Sequence, residues 1–259
     1  MTFKNGCSNV NGLQMYYEIY GEGKPLVLIH GGGSTIQTSF GKIIPLLSKN
    51  RQIIAVEMQA HGRTSDRDSF LTFEQDADDV ATLLDNLHIA KADILGFSNG
   101  GHTAIEIALR HPEIVNKLIL CSAFYKRSGA APQFWEGFDD GKVQFNDMPQ
   151  PYKDAFLELN NNPEALLNMF NKDVQRMRVF KDWTNEQLQS IKAPALVING
   201  NTDIGSIEHA VEMYHTIPNC QLAILPGAHG TYMGELSASR NNGKAIEYFV
   251  PLIEEFLDN

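Results

Sequence analysis

Cysteine is scarce in this chain: Cys7, Cys121 and Cys220 are the only three in 259 residues. An odd number of widely separated cysteines fits free thiols in a reducing compartment, and their spacing is not that of metal ligands. Long apolar runs are missing too. Leu26–Ile29 is typical of the longest, far short of the ~18–20 residues of a membrane span. The segment Met1-Thr2-Phe3-Lys4-Asn5-Gly6-Cys7 has no apolar h-region, so no signal peptide is expected and a cytoplasmic protein is. Positive charge is in deficit, with 21 Lys+Arg against 31 Asp+Glu, a net charge of −10. That balance disfavours nucleic acid and anionic membranes as partners. Neither G-x-x-x-x-G-K-[ST] nor G-x-G-x-x-G occurs, so no phosphate or dinucleotide loop is indicated, and no cofactor or metal is expected. Internal repeats and low-complexity tracts are absent. What remains is ordinary globular composition, 43% hydrophobic and 9% aromatic. A chain of this size suits one large domain with room for an insertion.

Short apolar runs alternate with helical periods, which predicts an α/β fold with a largely parallel sheet. The expected strands are 13–20, 25–30, 52–57, 92–97, 117–122, 195–199 and 221–225. Leu26-Val27-Leu28-Ile29 and Leu118-Ile119-Leu120 are apolar on both faces, as strands covered on both sides should be. A helix is expected over 72–87, capped by Thr72, with Asp76, Asp78 and Asp79 read as a solvated face. A second helix over 101–110 stops at His111-Pro112, and Pro251 should start or kink the last one. From about 124 to 191 the alternation fails. This stretch has no obvious strand, carries both tryptophans, and predicts a mostly helical insertion between core segments 1–123 and 192–259.

Gly96-Phe97-Ser98-Asn99-Gly100-Gly101 falls where an expected strand meets an expected helix. A serine on that turn is driven toward positive φ, and the flanking glycines remove the Cβ atoms that would clash. The turn would lift the hydroxyl clear of the sheet at a helix N-terminus. His30-Gly31-Gly32-Gly33 follows another strand, where glycine backbone can bring an N–H to an oxyanion; His30 itself reads as structural. A serine nucleophile needs a base and the base a carboxylate. His229, in Pro226-Gly227-Ala228-His229-Gly230, follows the last strand and can reach the sheet's carboxyl edge. His209 and His215 read as surface positions on a helix, and His88, His102 and His111 have no evident partner. Asp203 lies in the loop after 195–199, whereas the loop after 117–122 offers no acid. Glu57 reads as bracing its own loop. The chain order Ser98, Asp203, His229 matches that of the α/β-hydrolases.

With these motifs in place, the sequence resembles α/β-hydrolase-fold enzymes, in the branch with a helical cap inserted after the sixth strand. The likeness runs through nearly the whole chain and includes Glu57-Met58-Gln59-Ala60-His61-Gly62-Arg63-Thr64. There the family usually reads D-x-x-G-x-G-x-S, and Glu57, Ala60 and Thr64 stand in for the Asp, the first Gly and the Ser. The resemblance implies Ser98 as nucleophile, His229 as base and Asp203 as its partner. It also implies the Gly32 and Asn99 amides as the oxyanion hole, with Gly33 as the alternative to Gly32. Serine at 98 sets the chain apart from the dehalogenases and epoxide hydrolases of this fold, which carry aspartate there. The expected activity is hydrolysis of a small carboxylic ester or lactone, as in enzymes grouped with 3-oxoadipate enol-lactonase. C–C hydrolysis, acyl transfer, amide hydrolysis and perhydrolysis use the same triad, and some proteins of this fold only bind ligands. Phe134, Trp135 and Phe138 are candidate pocket residues, and their alternative is the insertion's own core. Lys172, Arg176, Arg178 and Lys181 read as a solvated helix face. Oligomeric state stays open.

Overall fold

A computed structural model describes residues 2–238 and 244–259. Its sheet has eight strands: β1 (Lys4–Val10), β2 (Leu13–Tyr20), β3 (Pro25–Ile29), β4 (Gln52–Val56), β5 (Ala92–Phe97), β6 (Val115–Cys121), β7 (Ala195–Gly200) and β8 (Cys220–Leu225). They lie in the order β1-β2-β4-β3-β5-β6-β7-β8. Only β1 with β2 and β2 with β4 pair antiparallel; the remaining pairs are parallel. The seven expected strands are present, with ends shifted by a residue or two. β1 is additional. Its sequence, Lys-Asn-Gly-Cys-Ser-Asn-Val, is polar and largely exposed, because an edge strand needs only its hydrogen-bonded neighbour.

Two helical layers cover the sheet. Alternation along β5 shows how: Ile94 points into one core, and Leu95 and Phe97 into the other. The second core is closed by the short helices α1 (Ile36–Phe40) and α2 (Ile44–Leu47), together with the C-terminal helix α10 (Ala245–Asp258). Pro251 lies inside α10 rather than at its start, and removes one backbone donor from its middle. The first core is closed by α3 (Phe73–Asn86), α4 (Asn99–Arg110) and α9 (Ile207–Thr216). Thr72 caps α3 as expected, its hydroxyl accepting the Gln75 N–H at 3.1 Å.

Between β6 and β7 come four helices: α5 (Pro132–Asp139), α6 (Gln150–Leu159), α7 (Pro163–Arg178) and α8 (Asn185–Gln189). Its aromatics split into two groups. Trp135, Phe180 and Trp183 join the core beneath, while Phe156 with Leu166 and Met169 builds a small core against Ala60.

Arg178 and Lys181 are exposed, as expected, but other charges on α3 and α7 correct the expectation of solvated faces. Asp76 and Asp79 are buried, as is Arg176. Arg176 pairs with Asp76 at 2.7 Å and with Asp173 at 2.5 Å, Arg67 pairs with Asp79, and Lys172 reaches Asp66 at 2.7 Å. These pairs tie α7 to α3 and to the loop before it. His209 is likewise buried, not on the surface. It stacks on Tyr125 and accepts that residue's N–H at 3.2 Å. His111 has a partner after all, Asp78 at 2.7 Å.

Candidate active site

Ser98 sits between β5 and α4 at φ 55°, a left-handed conformation that an L-residue holds only when its surroundings enforce it. A Cβ on Gly96 would lie 2.1 Å from the Gly100 carbonyl oxygen, and one on Gly100 would lie 2.1 Å from that of Ile29. Both glycines are therefore steric requirements of the turn. The Ser98 N–H donates to the Cys121 carbonyl at 2.9 Å, and its side chain does not cap α4, which leaves the hydroxyl uncommitted. The helix begins at Asn99, two residues earlier than expected, so its first amides lie beside the serine.

The loops after β7 and β8 are stitched together: Asn201 Oδ1 accepts the Gly227 N–H at 2.7 Å, and the Thr202 N–H donates to the Gly227 carbonyl at 3.1 Å. This brings His229 Nδ1 to 2.6 Å from Asp203 Oδ1. The Asp203 side chain is buried and takes further N–H donors from Ile204 at 2.7 Å and Gly200 at 3.0 Å. Burial works against its charge, but the His229, Ser122 and Gly200 hydrogen bonds hold the carboxyl below its ordinary pKa. Ser122 donates its hydroxyl to Asp203 Oδ2 at 2.6 Å and touches the Tyr232 hydroxyl at 2.7 Å. Sequence reasoning passed over Ser122 and Tyr232. The loop after β6 offers no acid, and what it supplies is a hydroxyl.

Ser98 and His229 line one cavity of about 260 Å³, together with Gly32, Gly33 and Asn99. The insertion supplies its apolar wall, including Phe134, Phe138, Phe170 and Met177. Trp135 is not among the lining residues. Its ring packs on Phe124 and Phe180, and its indole N–H donates to the Arg127 carbonyl at 2.6 Å. Phe134 and Phe138 thus face the cavity while their neighbour serves the core. Asp147, Asp173 and Tyr152 add polar wall, and no Lys or Arg lines the cavity among the described residues.

The glycine loop separates its two candidate amides. The Gly33 N–H lies 2.6 Å from Asp173 Oδ2 and 3.2 Å from His61 Nε2, and the short contact to a carboxylate is the hydrogen bond. The Gly32 and Asn99 amides take no acceptor among the described residues. His30 is buried below this loop, its Nδ1 donating to the Gly31 carbonyl at 2.7 Å and its Nε2 accepting the Met58 N–H at 3.0 Å. Burial, and then the neighbouring His61, lower its pKa to about 3. His61 differs, because both ring nitrogens face oxygen, Gln59 O at 2.8 Å and Asp173 Oδ2 at 2.9 Å. Burial opposes its charge, yet Asp173 holds its pKa above the usual imidazole value. Burial opposes the Asp173 charge too, and His61 and Arg176 hold that carboxyl well below the carboxylate range.

The departures from the family pattern in 57–64 also resolve. Ala60 adopts φ 66°, the left-handed region a glycine takes more readily, at the cost of some strain. Glu57 braces the loop by accepting the Arg63 N–H at 2.7 Å and its guanidinium at 2.6 Å. Among the described residues no three His, Cys, Asp or Glu side chains converge as a metal-ligand set. No helix there is long and apolar enough to cross a membrane.

A largely parallel sheet with a strained serine turn after β5, and with acid and histidine loops after β7 and β8, defines an α/β-hydrolase fold. The sequence profile of the alpha/beta hydrolase fold matches residues 24–236, and the chain belongs to that family. Its relatives are hydrolases. The Homo sapiens serine hydrolase BPHL is 28% identical, over 96% of this chain and 84% of its own. The 2-hydroxymuconate semialdehyde hydrolase of Pseudomonas sp. is 36% identical over 46% of this chain and 42% of its own. Among solved structures, the enol-lactonase of Burkholderia xenovorans superposes with a TM-score of 0.76 at 22% identity, covering 98% of this chain and 100% of that one.

Proposed function

We propose that the protein is a serine hydrolase that cleaves a carboxylic ester or lactone of a small, uncharged substrate. The observation that carries this is the 2.6 Å His229–Asp203 hydrogen bond, made at the cavity that Ser98 lines from its strained turn. With Nδ1 committed to Asp203, His229 Nε2 takes the Ser98 proton as the hydroxyl attacks the carbonyl carbon. The oxyanion is met by the Gly32 and Asn99 amides, and His229 returns the proton to the leaving alcohol. Water, deprotonated by the same imidazole, then frees the acid from the acyl-enzyme. The helical insertion acts as the cap over this site and sets the acyl wall through Phe134, Phe138 and Phe170.

The wall favours an ester over an anionic substrate. Asp147 and Asp173 place carboxylates on it, and the buried Arg176 is held by two acids. A second reading is C–C bond hydrolysis by the same residues, prompted by the 36% identity to the semialdehyde hydrolase. The test is hydrolysis of p-nitrophenyl esters of two to twelve carbons by wild type and Ser98→Ala. Turnover by wild type with a loss of about 10⁴-fold or more in Ser98→Ala supports the ester reading. No turnover of any ester, or of a lactone assayed beside them, rejects it, and turnover of a C–C substrate then supports the second.

A further inference from the structure

We infer that Asp173, on cap helix α7, is a positioning residue that sets the oxyanion hole by engaging the Gly33 amide and leaving the Gly32 amide free for the oxyanion. The inference rests on the reading of Ser98 as nucleophile and Gly32 as oxyanion donor.

Gly32 and Gly33 line the cavity with Ser98, and of their two amides that of Gly33 is taken by an acceptor while that of Gly32 has none among the described residues. Gly33, at φ 66°, has no side chain to fix its choice. What fixes it is a carboxylate arriving from 140 residues downstream, with Oδ2 2.6 Å from the Gly33 nitrogen. The carboxylate is itself immobilised on every side. Its Oδ2 also takes the His61 Nε2–H at 2.9 Å, and its Oδ1 takes Arg176 Nη2 at 2.5 Å. His61 is anchored through Nδ1 to Gln59 O at 2.8 Å, and Arg176 through Nη1 to Asp76 on α3 at 2.7 Å.

The loop therefore meets a fixed stop. A Cβ on Gly32 would meet Asn99 Nδ2 at 2.5 Å, so the loop is pressed against the residue that supplies the second amide. Without Asp173 the Gly33 N–H becomes an unpaired donor at the cavity wall, free to turn toward the oxyanion's place and carry Gly32 out of line. Preorganised donors count because they need not reorganise during reaction, and removing one costs about 10²–10³ in kcat. One consequence is specific to this chain. The stop is carried by the cap, so chemistry is coupled to the seating of α7.

The test compares Asp173→Asn and Asp173→Ala with wild type, using a short p-nitrophenyl ester for kcat and KM and a fluorophosphonate for the labelling rate of Ser98. Asn keeps an oxygen for the Gly33 N–H but loses the charge; Ala loses both. The expected result is a graded fall in kcat, about 10-fold for Asn and about 100-fold for Ala, with KM within about threefold. The labelling rate should fall in parallel, because phosphonylation uses the same hole. Wild-type kcat in a folded Asn variant overturns the proposal. So does a loss in which KM and melting temperature move and kcat does not, the mark of a merely structural residue. Should Ala fail to fold, the Asn variant alone decides. If wild type is neither labelled at Ser98 nor active on esters, the nucleophile reading has failed and the proposal falls with it. Labelled wild type with equally fast variants sinks the proposal alone.

Discussion

Asp76 on α3 and Arg176 on α7 are joined by a 2.7 Å ion pair with both side chains buried, so a helix of the insertion is bolted electrostatically to a helix of the core. Burial pushes the Asp76 carboxyl up to about 6 against the pull of the guanidinium, a measure of how dry the contact is. Breaking such a pair from one side leaves an uncompensated charge and costs about 3–5 kcal/mol. Arg176→Met should therefore lower the melting temperature by on the order of 10 °C. Replacing Asp76 by Leu in the same chain should recover part of that loss, because the lone carboxylate is removed. Thermal unfolding of the two variants checks this, and a single variant as stable as wild type would refute it.

Asp203→Asn is expected to leave the fold intact and to damage turnover. In the proposed mechanism the carboxylate orients His229 through Nδ1 and stabilises the imidazolium formed as Ser98 attacks. An amide in its place can hold the wrong tautomer, with a loss of up to about 10⁴ in kcat. Ser122→Ala removes one of the four donors to Asp203 and should cost about 10-fold in kcat. Steady-state kinetics beside circular dichroism separate this from unfolding. A wild-type kcat in Asp203→Asn would remove Asp203 from the proposed triad.

Much of this architecture is legible in the chain because its signals are local. A strand covered on both faces is an apolar run, and the Ser98 turn announces itself through Gly96 and Gly100, whose Cβ atoms have nowhere to go. The loops bearing Asp203 and His229 are legible because each directly follows such a run. What could not be read was pairing across the fold. Asp76, Asp79 and Arg176 look like solvated charges, since their helices have the composition of exposed faces and their partners lie up to a hundred residues away. Asp173 is hidden for the same reason. β1 went unseen because an edge strand needs no apolar pattern. Trp135 was grouped with Phe134 and Phe138 by sequence, yet adjacent residues on a helix point about 100° apart, and only two of the three reach the cavity.

That split gives a paired test. Phe138 lines the cavity, so Phe138→Ala should enlarge it and move the preferred ester toward longer acyl chains. The wild-type cavity of about 260 Å³ lies at the small end of ligand sites and favours short ones. Trp135→Phe removes the indole bond to Arg127 O, which keeps the Ala130 N–H at 3.2 Å, a loss of about 0.5–1.5 kcal/mol in stability. The acyl-chain profile should stay where it was. Chain-length profiles and melting curves on both variants decide, and the reverse pattern would mean that the lining has been misread.

The His61–Asp173 pair makes stability depend on pH in a direction that can be worked out. His61 has its folded pKa raised by Asp173, so its contribution is complete below the ordinary imidazole value and is lost as pH climbs through the raised one. Asp173 has its folded pKa lowered by His61 and Arg176. Its contribution is present above the ordinary carboxylate value and is lost only as pH falls through the depressed one. Both halves are therefore present together between about pH 4 and pH 6.5. Asp76, which faces the same cluster with its pKa raised to about 6, favours the folded state most below the ordinary carboxylate value, loses that contribution as pH rises to about 6, and adds no slope above it. His30, also beside His61, is held neutral in this window by burial. The melting-temperature gap between wild type and Asp173→Asn should accordingly be widest between pH 4 and 6.5 and narrow as pH rises beyond it. Thermal unfolding of both proteins from pH 4 to 9 measures that gap. A gap that stays level from pH 4 to pH 9 would mean that His61 is neutral beside Asp173, and that the carboxylate is held by Arg176 and the Gly33 amide alone.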